Sequence, residues 1–260
     1  MVLPILFLVT AFLYACVGFG GGSTYNALLV LNDTDYKILP LIALSCNLLV
    51  VSGGVWRFSK SRHIQIKKIL PWIVFSIPAA WVGGLIHIPE IVFVGILGIS
   101  LFLSALKMLW PEKEREKDSL FVSEKNPSPL FSALPPIIGT GLGFLAGITG
   151  IGGGIFLAPV LHLLNWGNSK NIAGTCSLFI LVNSFSGLVG QSMKLDEVDM
   201  MLPIFSYWAV FPAVLIGGQI GSWIGSERLN KKLIKKLTAF LILYVAIRLL
   251  FRFSSMAGLF

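Results

Sequence analysis

Charge is scarce in this chain. Of its 260 residues only 12% are Asp, Glu, Lys or Arg, against about 25% in soluble domains. So little charge cannot clothe a sizeable water-soluble domain. Acidic residues are scarcer than basic ones, 12 against 20, for a net charge of +8. The bases gather in a few loops between apolar segments, as orientation in a membrane requires; this is not the basic face of a nucleic-acid binder. Three histidines and three cysteines (Cys16, Cys46 and Cys176) offer no disulfide framework and no zinc spacing. There is no HExxH and no GxSxG, which argues against the commonest hydrolytic chemistries. No carboxylate lies deep in an apolar segment, so the usual intramembrane carboxylate relay is absent. No cofactor or metal is expected. Leu13-Tyr14-Ala15-Cys16 faintly resembles a lipoprotein cleavage site, but no positive region precedes it, and the segment is expected to be retained.

What the chain has instead is apolar length. Segments near the ~20 residues that span a bilayer fall at 2–31, 39–58, 69–88, 90–110, 130–165, 171–191, 200–225 and 232–253. One long polar stretch, Trp110 to Pro129, divides them into two halves that match in order and spacing. "VGFGGGSTYNALLVL" (17–31) aligns with "TGIGGGIFLAPVLHL" (149–163), and "IPAAWVGGLI" (77–86) with "FPAVLIGGQI" (211–220). "ALSCN" (43–47) resembles "AGTCS" (173–177). The reading is an internal duplication: a first membrane repeat at 1–110, a cytoplasmic connecting loop at 111–129 and a second membrane repeat at 130–260.

Loop charge orients the repeats. Loop 57–68 carries Arg57, Lys60, Arg62, Lys67 and Lys68 and is assigned to the cytoplasm. Its counterpart, 190–199, carries Lys194, Asp196, Glu197 and Asp199 and reads as external, whereas the basic loop 227–236 reads as cytoplasmic. Corresponding loops on opposite sides make the repeats inverted, which needs an odd number of crossings in each. The first segment is the one to discount. Unbroken, residues 1–31 would form a helix of about 46 Å, against a hydrocarbon core of about 30 Å. Glycines break it at Gly20–Gly22. The expected fold is therefore an all-α polytopic membrane protein of two inverted repeats, each a glycine-broken, re-entrant helical hairpin followed by three transmembrane helices. The alternative is eight full crossings with parallel repeats. Trp56, Trp72, Trp81, Trp110, Trp166 and Trp223 sit toward segment ends, as an interfacial belt would place them, and Trp208 is more central.

A tripled glycine inside an apolar stretch, used twice, asks for a chemical reason. A break frees backbone N–H groups at the start of a second, shorter helix, where the dipole adds roughly half a positive charge. That is an anion site, and discontinuous helices serve transporters in this way. The candidate ligands are Gly20, Gly21 and Gly22 with the donors Ser23, Thr24, Tyr25 and Asn26, then Gly152, Gly153 and Gly154 of the second break, which leads into an apolar helix. Asn47, Thr175 and Ser177 lie in the following segments, near where the hairpins should pack. Asn183, Ser184 and Gln191 read as helix–helix hydrogen bonds, and the Gly83-Gly84 and Gly217-Gly218 pairs as close-packing points. Arg57, Lys107 and Arg252 read as snorkelling side chains, Arg248 as interfacial, and His162 as a possible proton relay.

Two apolar halves, each with a Gly-x-Gly-Gly-Gly break, a short helix and a Pro-Ala…Gly-Gly segment, resemble the TauE/SafE sulfite-exporter family over essentially the whole chain. "GITGIGGGIFLAPVLHL", with Pro159 soon after the glycines, carries most of the likeness. The first half departs from it, having Ala27 where the second has Pro159. The resemblance implies a multi-pass permease of a prokaryotic inner membrane for sulfite, sulfoacetate or related organosulfonates, moved outward; the alternatives are an uptake carrier for thiosulfate or a small carboxylate, or an anion channel. Its partners would be that small anion and the lipid bilayer.

Overall fold

The computed structural model describes residues 2–86, 89–109, 129–164, 166–167, 169–194, 206–227 and 231–258. Among them the chain forms ten helices and no strand: α1 (Val2–Cys16), α2 (Gly22–Leu31), α3 (Leu39–Lys60), α4 (Ile66–Leu85), α5 (Glu90–Leu109), α6 (Pro129–Thr149), α7 (Gly154–Leu163), α8 (Ser169–Ser192), α9 (Val210–Glu227) and α10 (Lys231–Met256). The first five and the last five repeat one pattern of lengths, with a ten-residue helix second in each. The connecting stretch up to residue 128 and the acidic loop after Lys194 lie outside the described residues.

Polarity is arranged opposite to that of a soluble bundle. Asn26, Asn47, Asn183, Ser184 and Gln191 are buried, while Leu6, Phe75, Ile99, Ile216 and Phe240 face outward. Only lipid makes such a surface stable. Three helical stretches, α3, α4 and Lys170–Ser192 of α8, are long and apolar enough to cross a bilayer. The chain is a multi-pass membrane protein.

With apolar solvent outside, helix association has to come from close packing and buried polar contacts. Glycines supply the first. In α6, β-carbons placed on Gly139, Gly143 and Gly147 would lie within 2.4 Å of the carbonyl oxygens of Trp72, Ser76 and Ala80 in α4. In α9, those on Gly217, Gly221 and Gly225 would lie within 2.3 Å of the carbonyl oxygens of Leu8, Phe12 and Cys16 in α1. The α4/α6 and α1/α9 contacts correspond under the repeat, but the glycines come from opposite partners. Gly83 and Gly84 likewise abut the carbonyls of Phe144 and Gly187, as expected of packing glycines.

The same contacts give helix directions. Both glycine-striped pairs run parallel, because the contact numbers rise together. So do α4 and α8, where the Ser186 hydroxyl donates to the Ile77 carbonyl and the Lys194 ammonium to that of Ile86. The equivalent helices α3 and α8 run antiparallel: Gly187 meets Leu44, Ser177 meets Gly54 and Gly174 meets Phe58. In the other equivalent pair, α5 and α10, Gly95 meets Phe253 and Gly98 meets Leu250, again antiparallel. Since α6 and α8 are both parallel to α4, they are parallel to each other, and the chain must turn back between them.

The tryptophan belt needs correction. Trp56, Trp81 and Trp223 are outward-facing, but Trp72 and Trp166 are buried, at 1% and 3% exposure. Trp72 is held inside because its helix face is the one that Gly139 approaches. Trp208, read as central, is exposed in the turn before α9.

Candidate functional site

Each helix break is built from glycines in two roles. The first role ends the incoming helix. Gly18 is left-handed at φ 84°. It closes α1 with a paired cap, in which the Phe19 N–H donates to the Tyr14 carbonyl (2.9 Å) and the Gly18 N–H to that of Ala15 (3.1 Å). Gly150, at φ 69°, does the same for α6, its N–H donating to the Ala146 carbonyl at 2.9 Å. The second role starts the outgoing helix. Gly21 (φ 96°) and Gly153 (φ 76°) precede α2 and α7, and their carbonyls accept from Thr24 and Tyr25, and from Phe156 and Leu157. A side chain at such a φ costs about 1–2 kcal/mol. The break spans Val17–Gly21, slightly earlier than the Gly20–Gly22 read from the sequence.

The first break doubles the chain back. The Tyr25 ring stacks on that of Phe7, centroids 4.7 Å apart, and Phe7 lies nine residues before the end of α1, about 13 Å along it. So α2 starts beside the middle of α1 and not beyond its end. The Tyr14 hydroxyl meets those of Thr24 (2.7 Å) and Ser23 (3.2 Å). At the far end of α2, the Arg252 guanidinium donates to the Val30 carbonyl (2.6 Å) and to Asp33 (3.2 Å). A cation there complements the negative end of the helix dipole. Arg252, read from the sequence as snorkelling, is engaged at this end of α2 beside the exposed Asp33.

The two breaks are tied to each other across the repeats. Asn47 of α3 donates from Nδ2 to the Ile151 carbonyl of the second break at 3.1 Å. Its counterpart Ser177 of α8 donates to the Gly18 carbonyl of the first at 2.7 Å. Asn26 of α2 donates to the Thr149 carbonyl. Asn47 is also the spacer between the breaks. β-Carbons on Gly20 and Gly22 would fall 2.3 Å and 2.4 Å from its amide, and one on Gly152 would fall 3.0 Å from its Nδ2. The two breaks therefore approach each other across one amide group, at Gly20 and Gly22 on one side and Gly152 on the other.

Several buried polar atoms here have no protein partner: the Tyr25 hydroxyl, Asn47 Oδ1, Asn26 Oδ1, the Thr175 hydroxyl and the Ser184 hydroxyl. A native interior seldom leaves such groups unpaired without a use for them. The Ser184 hydroxyl is directed at the second break, 2.7 Å from where a Gly152 β-carbon would lie. The Tyr25 hydroxyl is 2.8 Å from the corresponding point on Gly21. Helix-start N–H groups and free hydroxyls are donors, so the arrangement suits a small oxyanion. Among the described residues no group of His, Cys, Asp or Glu could hold a metal ion.

Gly20, Gly22, Asn26, Asn47, Gly152 and Ser177 meet where the two breaks approach, and Ser23, Thr24 and Tyr25 line the start of α2; Thr175 is buried in α8 with no contact that ties it to either break. Ser23, Thr24, Asn26 and Ser177 are engaged in holding the breaks; Tyr25, Thr175 and Ser184 retain unused hydroxyls. Ser184 reads from the sequence as a helix–helix hydrogen bond, yet its hydroxyl makes none. Tyr14 carries no sequence signal, because its role depends on the doubling back of α2. The side chains of Pro159 and His162 lie outside the described residues, and Arg248 is outward-facing.

Comparison with known proteins agrees with this architecture. The family model described as "Sulfite exporter TauE/SafE" matches residues 3–249. The chain is 35% identical over 220 residues to the probable membrane transporter protein y4hK of Sinorhizobium fredii (strain NBRC 101917 / NGR234), covering 85% of both chains. It is 26% identical over 223 residues to the probable membrane transporter protein YjnA of Bacillus subtilis (strain 168), covering 80% of this chain and 85% of that one. YunE of the same strain, also a probable membrane transporter protein, is 22% identical over 242 residues, with 85% and 87% covered. No solved structure matches. On the span of the family match and the identity to y4hK, the chain belongs to the TauE/SafE sulfite exporter family.

Proposed function

We propose that this protein is a secondary transporter that moves small sulfur-containing anions, sulfite, sulfoacetate or another organosulfonate, outward across a prokaryotic inner membrane. It is a carrier and not an enzyme. The observation that carries the reading is the meeting of the two breaks, just ahead of α2 and α7, at Asn47, with unpaired hydroxyls directed at them. The anion binds there, between the two repeats.

The repeats, 1–110 and 130–260, are inverted with respect to the membrane, and each broken pair, α1–α2 and α6–α7, is a re-entrant hairpin. The antiparallel course of α3 against α8 and of α5 against α10 supports inversion. The parallel course of α6 and α8 supports a chain that turns back at the break, since α6 and α7 joined end to end as one crossing would leave α8 opposed to α6, and α7, at ten residues, is about half the length of a crossing. Eight full crossings with parallel repeats agree with neither. The anion then sits near the bilayer midplane, where tilting of one repeat against the other exposes it to each side in turn.

Purified protein in liposomes tests this reading. Flux of labelled sulfite should saturate and show counterflow against unlabelled sulfite or sulfoacetate. Unsaturable flux identifies a channel, and no flux of any of these anions overturns the proposal.

A further inference from the structure

The charge around the breaks constrains the charge of the cargo. Among the described residues, every buried polar side chain is neutral: Asn26, Asn47, Ser177 and Ser184 lie against the breaks, and no Lys or Arg is among the buried polar residues. The titratable side chains packed nearest are Tyr14, Tyr25, Cys46 and Cys176, phenols and thiols that are uncharged at neutral pH. Arg57 lies ten residues beyond Asn47 in α3, about 15 Å along the helix. Arg252 is engaged at the opposite end of α2, and Lys194 at the Ile86 carbonyl beyond α4. His162 is eight residues past Gly154, about 12 Å along α7.

Positive potential at the junction therefore comes from two helix starts. Each contributes roughly half an elementary charge. With the breaks that precede them meeting at Asn47, the two sum to about one. One negative charge is matched; a second has no counterpart in a buried, weakly polar setting. The desolvation penalty grows with the square of the ionic charge, so a dianion loses about four times as much as a monoanion of the same size. The same N–H groups and hydroxyls attract a doubled charge only about twice as strongly, so they offset part of a penalty that has grown about fourfold.

We infer that the junction selects monovalent oxyanions: the structure places two half-charges and neutral hydroxyls there, and no side-chain cation. The inference rests on the breaks being the anion site. It narrows the cargo to hydrogen sulfite and monosulfonates carrying no other charge, and it disfavours sulfoacetate, whose carboxylate adds a second charge.

The test uses the full chain in nanodiscs with two probes of fixed charge and similar size, methanesulfonate (monovalent) and sulfate (divalent), at pH 7 and constant ionic strength. Calorimetry gives each affinity, and competition with sulfite shows that the site is shared. Methanesulfonate should bind at least tenfold more tightly than sulfate and displace sulfite. Sulfate binding as tightly, in competition with sulfite, overturns the monovalent rule but keeps the anion site. Sulfite binding that neither probe displaces overturns the monovalent rule, because a small monovalent sulfonate should compete. Absence of binding by all three ions removes the anion-site reading and the rule with it.

Discussion

Gly22 and Asn47 offer a direct test of how the junction is built. Gly22 opens α2 without a left-handed φ, so alanine there has no backbone strain, and helix propensity alone would favour it by about 0.5–1 kcal/mol. The obstacle is Asn47, whose Nδ2 would lie 2.4 Å from the new β-carbon. Asn47 has little room to yield, being fully buried, in contact with Gly20 and anchored to the Ile151 carbonyl. Overpacking of this kind costs about 1–3 kcal/mol. Asn47→Ala alone leaves the Ile151 carbonyl unpaired, also at about 1–3 kcal/mol. In the double variant the clash is gone, so its destabilisation should fall short of the sum by about 1–2 kcal/mol, well beyond the ~0.5 kcal/mol within which independent sites add. The assay is reversible unfolding by SDS titration in mixed micelles, on wild type, both single variants and the double. Gly21→Ala is the contrast: at φ 96° its strain is in the backbone, and Asn47→Ala should not relieve it. Additive single effects at Gly22 would refute the claim that Asn47 spaces the two breaks.

Further outcomes follow from the same contacts. Gly147→Ala should lower the unfolding midpoint, because its β-carbon would meet the Ala80 carbonyl at 2.0 Å, whereas Gly141→Ala in the same helix meets nothing within 4 Å and should be neutral or stabilising by up to about 1 kcal/mol; equal effects would refute the stripe. Ser184→Ala should weaken sulfite binding by about tenfold to a hundredfold, the value of one hydrogen bond to a charged group, with unfolding little changed because the hydroxyl has no protein partner; unchanged affinity by calorimetry removes Ser184 from the site. Arg252→Ala should destabilise by about 1–3 kcal/mol through the Val30 carbonyl, while Asp33→Asn should change stability by less than about 1 kcal/mol, since Asp33 is exposed; both are read by SDS titration. Single cysteines at Lys194 and Lys232 should react with an impermeant maleimide from opposite sides of oriented vesicles. Cys16, Cys46 and Cys176 are buried and should give little background.

Much of the architecture was legible in the sequence. Scarce charge and apolar runs follow from transfer free energy, a property of composition, and they identified a membrane protein. The duplication was visible because both copies keep Gly18, Gly20, Gly21 and Gly22, or Gly150, Gly152, Gly153 and Gly154, and left-handed backbone at a helix end or start is something side chains punish locally. Local rules thus located both breaks and the two short helices. They could not say which polar residues were already in use. Ser23 and Thr24 look like ligands until Tyr14 is found against them, and Ser184 looks like a structural hydrogen bond until it is found without a partner. Trp72 sits at a segment end, where lipid headgroups would suit it, but Gly139 of α6 presses on its backbone and the ring is buried. Nor does any sequence spacing relate Asn47 to both Gly22 and Gly152. Hydrogen bonds and close contacts between residues more than a hundred positions apart depend on how α3 and α8 cross, and that crossing is set by the whole set of glycine-lined interfaces. Composition and backbone preference decided that helices break inside a membrane; only tertiary packing decided that the two breaks face each other across a single asparagine.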